Sequence, residues 1–171
     1  MNFAEYETPC GKLLLGTQDS NLYLCDWISG NRTDKTMKRI NPFLPDAGTN
    51  DDLLLMEKCV GSLDEYFAGK REFFDIPFVA LGTEFQRKVW RTLLDVPYGT
   101  KTTYKAIAEA VGCPRGVRAV ASAIGANPLS IFIPCHRIIG SDGNITGYAG
   151  GLYAKKYLLQ LEALISLSSC R

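Results

Sequence analysis

The stretch TTYKAIAEAVGCPRGVRAVASAIGA, residues 102–126, decides the fold that we predict for the second half of the chain. Apolar residues recur at helical spacing on both sides of Gly112 and Pro114, residue types that end helices. The pattern predicts one helix from the start of the stretch, a turn, and a second helix from about Arg115 to Ala126. Two short helices joined in this way are typical of a helix-turn-helix, and also of helical hairpins in many protein cores.

The outward face of the second of these helices carries few long side chains. Helical spacing directs one set to the core: Val117, Val120, Ala121 and Ile124. It leaves outside two arginines and three small residues: Arg115, Arg118, Ala119, Ser122 and Ala126. Because small residues let a helix backbone come close to a surface, this face suits sequence-independent contact with the minor groove of DNA, or a tight helix–helix contact.

The segment PCHRI, residues 134–138, contains the single histidine of the chain directly after a cysteine. A thiolate is a strong nucleophile, and imidazole is the usual group that generates it near neutral pH, so a reactive Cys135 would have to use His136. Neighbouring side chains of an extended segment point to opposite faces, so contact between the two requires a turn or an intervening water. A buried cysteine followed by a surface His-Arg pair fits the dipeptide as well.

The residues on either side of Cys135 add two expectations. Asn127 and Pro128 predict a turn, and the apolar run Leu129–Ile133 predicts a short strand that holds the cysteine at its end. After the cysteine, residues 140–151 contain five glycines. Such a stretch can point amide N–H groups at a ligand oxygen, or it can form a flexible surface turn.

An acid in the last predicted helix is the candidate partner of the histidine. The helix is predicted from Tyr153 to Ile165, and Glu162 lies in its most apolar part, where a charged group usually has a partner. Asp142 and Glu162 are the two acids that follow Cys135. A histidine that acts as a base generally needs an acceptor to fix its orientation, and Glu162 is the better candidate.

The first half of the chain has the pattern of a small sheet with one helix. Lys12–Thr17 and Leu22–Trp27 alternate like strands around a turn-prone Gln-Asp-Ser-Asn, which predicts a hairpin. The polar stretch over residues 30–50 predicts a loop. Residues 51–67 predict an amphipathic helix, and residues 72–81 look extended.

The pattern becomes helical at Gly82. Thr83 and Gln86 have the spacing of a capping box, which marks the start of a helix. Its apolar stripe consists of Phe85, Val89, Trp90 and Leu93. We therefore predict an α+β fold: a sheet-plus-helix domain over residues 1–81 and a mainly helical domain with a helix-turn-helix over residues 82–171.

Composition narrows the class of protein. The 171 residues are 46% hydrophobic, without an apolar run of roughly 20 residues or a signal-peptide pattern, so we expect a cytoplasmic protein without a membrane span. Six widely spaced cysteines predict reduced thiols, and one histidine without a CxxC pair predicts no metal. Residues 1–81 carry 8 basic and 13 acidic residues and residues 82–171 carry 11 and 5, which suggests a polyanion partner for the second part.

Taken together, the motifs of the second half resemble those of the O6-alkylguanine-DNA alkyltransferases, also called methylated-DNA-protein-cysteine methyltransferases. The matching pieces span about half of the chain, in the order and at the spacing of that family. They are Gly82-Thr83-Glu84-Phe85-Gln86, Val89-Trp90, Tyr104, Arg118-Ala119-Val120, Asn127-Pro128, Ile133-Pro134-Cys135-His136-Arg137-Ile138, Gly147-Tyr148-Ala149-Gly150-Gly151 and Glu162.

The resemblance implies a reaction in which each molecule acts once. Cys135 would attack the alkyl carbon on the O6 atom of guanine and keep the group as a thioether. His136, acting through a bound water and oriented by Glu162, would help to form the thiolate. Asn127 matches an asparagine that braces the turn before the cysteine, and Tyr104 matches a tyrosine that gives a proton to the departing guanine.

The resemblance also assigns the guanine site. The amide of Ala149 would bind the O6 atom, and the carbonyls of Cys135 and Ile138 would accept from the guanine amino group. Tyr148 belongs to the same motif and is assigned to the same site. Ala149 stands where some relatives have serine, and the zinc ligands found in the first domain of some members are missing here.

The partner implied by the resemblance is double-stranded DNA that contains O6-alkylguanine. The family binds the minor groove and flips the nucleotide out, at a cost of a few kcal/mol, and an arginine matching Arg118 fills the gap. Arg115, Ala119 and Ser122 would lie against the DNA. We expect no cofactor, no membrane contact and a monomer.

Two other functions use the same residues. A cysteine hydrolase would form a transient acyl intermediate at Cys135, but such enzymes normally take their base from elsewhere in the chain, and there is no second histidine. A DNA-binding protein could recognise the damaged base without transfer. Family relatives of that kind carry another residue at this position, so the cysteine favours transfer.

Overall fold

A computed structural model describes residues 1–45 and 52–169. It begins with a three-stranded antiparallel sheet in chain order, made of β1 (Asn2–Thr8), β2 (Gly11–Gln18) and β3 (Asn21–Trp27). The turn between β2 and β3 has positive φ angles at its two central residues, 48° and 58°, as the twist of a two-residue hairpin requires. The predicted hairpin is confirmed.

The loop predicted over residues 30–50 is wrong in its first part. Arg32–Ile40 form helix α1, and Asn41–Phe43 add one turn of 3₁₀ helix. The rest of the predicted loop, from residue 46, lies outside the described residues. The helix buries only Thr36 and Ile40, and its mostly polar residues have the composition of a loop.

Helix α2 (Asp52–Phe67) packs on the sheet and confirms the helix predicted there, although its predicted first residue, Asp51, lies outside the described residues. The helix ends before Gly69, whose φ of 72° suits a glycine. The segment over residues 72–81 is mostly irregular and forms one parallel bridge to β3, in which the Leu22 amide donates to the Pro77 carbonyl at 2.9 Å.

The second half is mainly helical. Its helices are α3 (Glu84–Leu94), α4 (Tyr104–Ala110), α5 (Val117–Gly125) and α6 (Gly151–Ser169). Both hydrogen bonds of the predicted capping box are present at Thr83, at 2.9 and 3.3 Å. The Trp90 indole donates to the Ala123 carbonyl at 2.7 Å and fixes α3 on α5. Phe85, expected in the buried stripe, is 36% exposed, because it lies at the edge of the face that α3 buries.

A two-residue parallel pairing connects the helix-turn-helix to the segment that follows the cysteine. Strand β4 (Thr102–Thr103) pairs with β5 (Ile138–Ile139). The Thr103 hydroxyl then accepts from the Ala106 amide at 3.1 Å and caps α4. Tyr104, the first residue of α4, is therefore held close to the chain that follows Cys135.

The strand predicted over Leu129–Ile133 is wrong. The chain reverses there: the Ile133 amide donates to the Leu129 carbonyl at 2.8 Å, and Ile131 has a φ of 73°, rare for a β-branched residue. The run is apolar because all five residues are buried. A buried turn and a buried strand have the same composition, so sequence alone could not separate them.

The buried apolar residues of both halves form one continuous core. It extends from Leu13 and Trp27 of the sheet through Leu63 of α2 to Trp90 of α3 and Ile133 beside the cysteine. The predicted α+β class is confirmed. Within the described ranges, the five cysteines are free thiols, and no helix is both long and apolar enough to cross a membrane.

Candidate active site at Cys135

Cys135, His136 and Arg137 form one turn of 3₁₀ helix, and all three are buried. The turn removes the restriction that an extended chain would place on neighbouring side chains. The Cys135 Sγ atom lies 3.2 Å from Asn127 Nδ2, which donates to it. His136 uses Nε2 to reach Glu162, while its Nδ1 atom is buried without a hydrogen-bond partner among the described residues.

Asn127 connects the reversed turn to the sulfur. Its Oδ1 atom accepts from the Leu129 amide at 3.0 Å, and its Nδ2 donates to the Ile133 carbonyl at 3.0 Å as well as to Cys135 Sγ. One buried amide therefore contacts both ends of the turn and the thiol. Such a bond network holds a side chain in one position.

The thiol of Cys135 is protonated at neutral pH. Burial raises its pKa above the usual value, and the hydrogen bond from Asn127 and the positive charges of Arg32 and Lys155 offset only part of that effect. A base is therefore needed to form the thiolate.

Glu162 accepts from four residues in the buried interior. His136 Nε2 lies 2.7 Å from Oε1, and the Tyr66 hydroxyl donates to the same atom at 2.8 Å. Arg137 donates to both carboxylate oxygens, at 2.9 and 3.0 Å, and the Gly99 amide donates to Oε2 at 3.1 Å. This saturation of its oxygens explains how the chain keeps an acid in an apolar helix.

The alternative acid, Asp142, is exposed and bonds within its own loop to Asn144. It makes no described contact with the histidine. Of the two acids, Glu162 is therefore the one that bonds to His136.

The protonation states in this cluster follow from burial and charge. Burial by itself would raise the pKa of Glu162, but hydrogen bonds and charges from His136 and Arg137 outweigh it and lower the pKa to about 2. Burial lowers the pKa of His136, and Glu162 reverses only part of that shift. At neutral pH the pair is thus a carboxylate and a neutral imidazole.

A pocket of about 630 Å³ opens on the sulfur, a size typical of small-ligand sites. Among the predicted site residues that line it are Cys135, Asn127, Tyr104, Arg118, Tyr148 and Ala149. Arg32 of α1 lines the same pocket and forms an ion pair with Asp26 at 2.8 Å. The first half of the chain therefore supplies a cation to the wall of the pocket.

The wall opposite the sulfur is built from the glycine-rich segment. The Tyr104 hydroxyl donates to the carbonyls of Thr146 and Gly147 at 3.3 and 3.4 Å. The buried Lys155 ammonium donates to the Thr146 carbonyl at 2.7 Å and to the carbonyl of Ile138. Burial lowers the pKa of Lys155 to about 8.

Tyr148 is anchored by the first half of the chain. Its hydroxyl accepts from the Trp27 indole at 3.1 Å. The next segment passes directly over the same indole, where a Cβ on Gly150 would lie 2.5 Å from a ring atom. A glycine is needed there for close approach.

The predicted DNA-contacting residues lie on the surface of α5 and just before it. Arg115, Arg118, Ala119 and Ser122 are exposed, and only Arg118 of the four also borders the pocket. The assignment of Ala121 to the core is wrong: it is half-buried and lines the pocket, whereas the half-buried Val117 packs against the core and lines the pocket as well. Ala123 is buried instead, under the Trp90 indole. Alanines carry too little apolar surface for helical spacing to place them reliably.

Sequence reasoning missed four charged or polar residues of the site: Arg32, Tyr66, Arg137 and Lys155. One of them left a readable signal, since Lys155 lies on the same face of α6 as Leu158 and Glu162 at helical spacing. Arg137 is two residues from Cys135, but its bonds to Glu162 depend on the fold, and Arg32 and Tyr66 come from segments that only the fold brings near the cysteine.

Comparisons with known proteins identify the family of the chain. Residues 84–164 match the DNA binding domain of 6-O-methylguanine DNA methyltransferase, and residues 1–80 match its ribonuclease-like domain. A methylated-DNA–protein-cysteine methyltransferase of Methanosarcina barkeri is 43% identical over 156 residues, 91% of this chain and 93% of that protein. One of Haemophilus influenzae is 39% identical over 163 residues, 95% and 86% of the two chains.

Solved structures give the same result. The crystal structure of Mycobacterium tuberculosis OGT in complex with DNA has a TM-score of 0.79 at 36% identity and covers 95% of this chain and 93% of that one. The chain therefore belongs to the 6-O-methylguanine DNA methyltransferase family, and the family expected from the sequence is confirmed.

Proposed function

We propose that this protein repairs DNA by transferring an alkyl group from the O6 atom of guanine to the sulfur of Cys135, once per molecule. The observation that carries the proposal is the cysteine itself: it lies at a pocket of suitable size, backed by the only histidine and a fully hydrogen-bonded glutamate. The membership of the family and the names of its relatives support the same reaction.

The first step is removal of the thiol proton. Because Glu162 is a carboxylate, its bond to His136 Nε2 requires the hydrogen on that nitrogen, which leaves the lone pair on Nδ1. Nδ1 has no partner among the described residues, and its residue directly follows Cys135 in the same 3₁₀ turn. A water between the sulfur and Nδ1 would carry the proton to the imidazole, as the sequence resemblance implies.

The thiolate then displaces the guanine. The bond from sulfur to the alkyl carbon forms while the bond from that carbon to O6 breaks, and the electron pair stays on the guanine. Tyr104 is the acid that returns a proton to the base. Its hydroxyl bonds only at 3.3 and 3.4 Å to carbonyls of the pocket wall, so it can turn to a better acceptor.

The backbone of the pocket would hold the guanine. The Ala149 amide faces the O6 position, and the carbonyls of Cys135 and Ile138 accept from the amino group. The Ile138 carbonyl also accepts from Lys155, but a carbonyl oxygen has a second lone pair. Tyr148 supports this wall through its bond to Trp27.

For the DNA complex, we infer that α5 enters the minor groove with its small, exposed face. Arg118 stands at the edge of the pocket, where it could fill the space left by a flipped nucleotide. Arg115, Ala119 and Ser122 would face the backbone and groove. We further infer a monomer, and a boundary between two domains after residue 81.

Intact mass tests the proposal. We expect a gain of one methyl group per chain after incubation with a duplex that contains O6-methylguanine, and no gain in Cys135→Ala. Cys113→Ala is the matched control, since it removes the more exposed thiol and should leave the gain unchanged. Tight binding of the wild type to the damaged duplex without any gain in mass would contradict transfer and support damage recognition alone.

A further inference from the structure

The carboxylate of Glu162 accepts a hydrogen bond from a residue in the first half of the chain. The Tyr66 hydroxyl, on α2, donates to Glu162 Oε1 at 2.8 Å across a separation of 96 residues. The same oxygen bonds to His136 Nε2 at 2.7 Å. The tyrosine and the histidine therefore share one acceptor atom, and a change in one bond must alter the other.

The geometry of Tyr66 is fixed independently of its hydroxyl. The side chain is 1% exposed, and its ring packs against Phe67, Phe74 and Tyr98 at centroid distances of 5.3, 5.5 and 6.2 Å. Burial and the neighbouring Glu162 raise the pKa of Tyr66 well above its usual value, so the phenol keeps its proton and donates at any physiological pH. Packing thus aims a permanent donor at the carboxylate.

The groups around the His136 and Glu162 pair come from every neighbouring element. Arg137 approaches from the 3₁₀ turn, Lys155 from α6, and both favour the neutral imidazole. Three phenols complete the surroundings: Tyr66 from α2, Tyr98 from the segment after α3, and Tyr148 from the glycine-rich segment. Of these phenols, Tyr66 is the one that bonds to the carboxylate oxygen shared with the histidine.

We propose that Tyr66 is a positioning residue of the transfer reaction: its hydroxyl holds Glu162 Oε1 so that His136 stays neutral, with its free Nδ1 directed toward Cys135. A donor on Oε1 withdraws charge from that oxygen and weakens its pull on the imidazole proton. The first half of the chain then acts on the chemistry indirectly, through Glu162 and His136. The inference rests on the proposed transfer function.

The chain allows an unusually clean test because His136 is its only histidine. NMR titration of the imidazole in the full-length protein would report its tautomer and its pKa without overlap. In the wild type we expect the proton on Nε2. In Tyr66→Phe, which keeps the packed ring, we expect the titration of His136 and the acidic limb of the single-turnover transfer rate to move upward together, by roughly 0.5 to 1 pH unit.

Tyr98→Phe is the matched control. Its hydroxyl is buried in the same aromatic cluster and has no hydrogen-bond partner among the described residues, while its ring, 5.5 Å from the Arg137 guanidinium carbon, is kept. The titration and the rate profile of this variant should superimpose on those of the wild type. Urea unfolding of both variants measures the loss of stability separately.

Each outcome is decisive. A Tyr66→Phe protein that is less stable but has unchanged titration and pH profile would reduce Tyr66 to a structural role, and equal shifts in both variants would also overturn the proposal. Should Tyr66→Phe not fold, 3-fluorotyrosine at position 66, a stronger donor, must shift the titration downward. If the wild type takes up no methyl group, the proposed function is refuted. The titration of His136 would still show whether Tyr66 affects its protonation.

Discussion

Cys135 lies between two regions of opposite character. On its inner side, the buried oxygens of Glu162 accept bonds of 2.7 to 3.1 Å from three buried side chains and from the amide of the half-buried Gly99. On its outer side, Tyr104 makes bonds of 3.3 and 3.4 Å to a glycine-rich segment that is largely exposed. The groups proposed to set proton affinity are held by short hydrogen bonds in the interior, and the groups proposed to meet the DNA make longer hydrogen bonds at the surface.

The most damaging change should be on the inner side. Glu162→Gln leaves Arg137 buried without a counter-charge and replaces one of the two acceptor oxygens by an NH2 group, which cannot accept from His136, Arg137, Tyr66 or Gly99. We expect a loss of transfer rate on the order of a thousandfold and destabilisation by about 3–5 kcal/mol, measured by single-turnover kinetics and urea unfolding. Asp142→Asn, an exposed carboxylate, is the control and should change neither. A stable Glu162→Gln protein with normal transfer would show that the buried cluster has no catalytic part.

On the outer side, the expected effect is on rate alone. Tyr104→Phe removes the acid but hardly any packing, so transfer should slow by about a hundredfold while stability and DNA affinity stay near wild type. Tyr153→Phe, an exposed tyrosine at the start of α6, is the control. If Tyr104→Phe loses stability as well as transfer rate, the outer side does not differ from the inner side in this respect.

Acid should destabilise the inner side. The pKa of Glu162 is about 2 in the folded protein, below its usual value of 4.5, so its contribution to stability is complete above about 4.5 and disappears as the pH falls toward 2. The lowered pKa of His136 acts in the same direction below its usual 6.5. Urea unfolding across this range should show a loss of roughly 3 kcal/mol from the glutamate, and Glu162→Gln should lack that part of the slope.

Arg118 tests whether the outer side needs base flipping. Arg118→Ala should slow transfer from duplex DNA by about tenfold or more, since the gap left by the base stays unfilled. Transfer from a single-stranded oligonucleotide, which has no gap, should hardly change. Equal slowing on both substrates would place the arginine in the chemistry and not in flipping.

The smallest effect is expected at Arg115, which is exposed and does not border the pocket. Arg115→Ala should weaken DNA binding at every sequence and reduce the slope of log affinity against log salt by about 1. Transfer at saturating DNA should match the wild type. An unchanged slope would show that this residue makes no phosphate contact.

The sequence predicted the parts of the fold that depend on local pattern. The hairpin, helix α2 and the Thr83 capping box follow from periodicity and side-chain spacing over a few residues. Helix α1 was missed because its mostly polar residues have the composition of a loop. The turn at Ile131 was mistaken for a strand because a buried turn and a buried strand have the same composition.

For the site, the chain order was enough to indicate Cys135 as the candidate nucleophile with His136 beside it, and Glu162 as the candidate partner because an acid in an apolar helix needs partners. The identity of those partners depends on how distant segments pack together. Tyr66 and Arg32 reach the site through the packing of α2 and α1 against the second half, and contacts across so many residues depend on how the core closes. The periodicity of neighbouring residues does not predict contacts between segments that are far apart in the sequence.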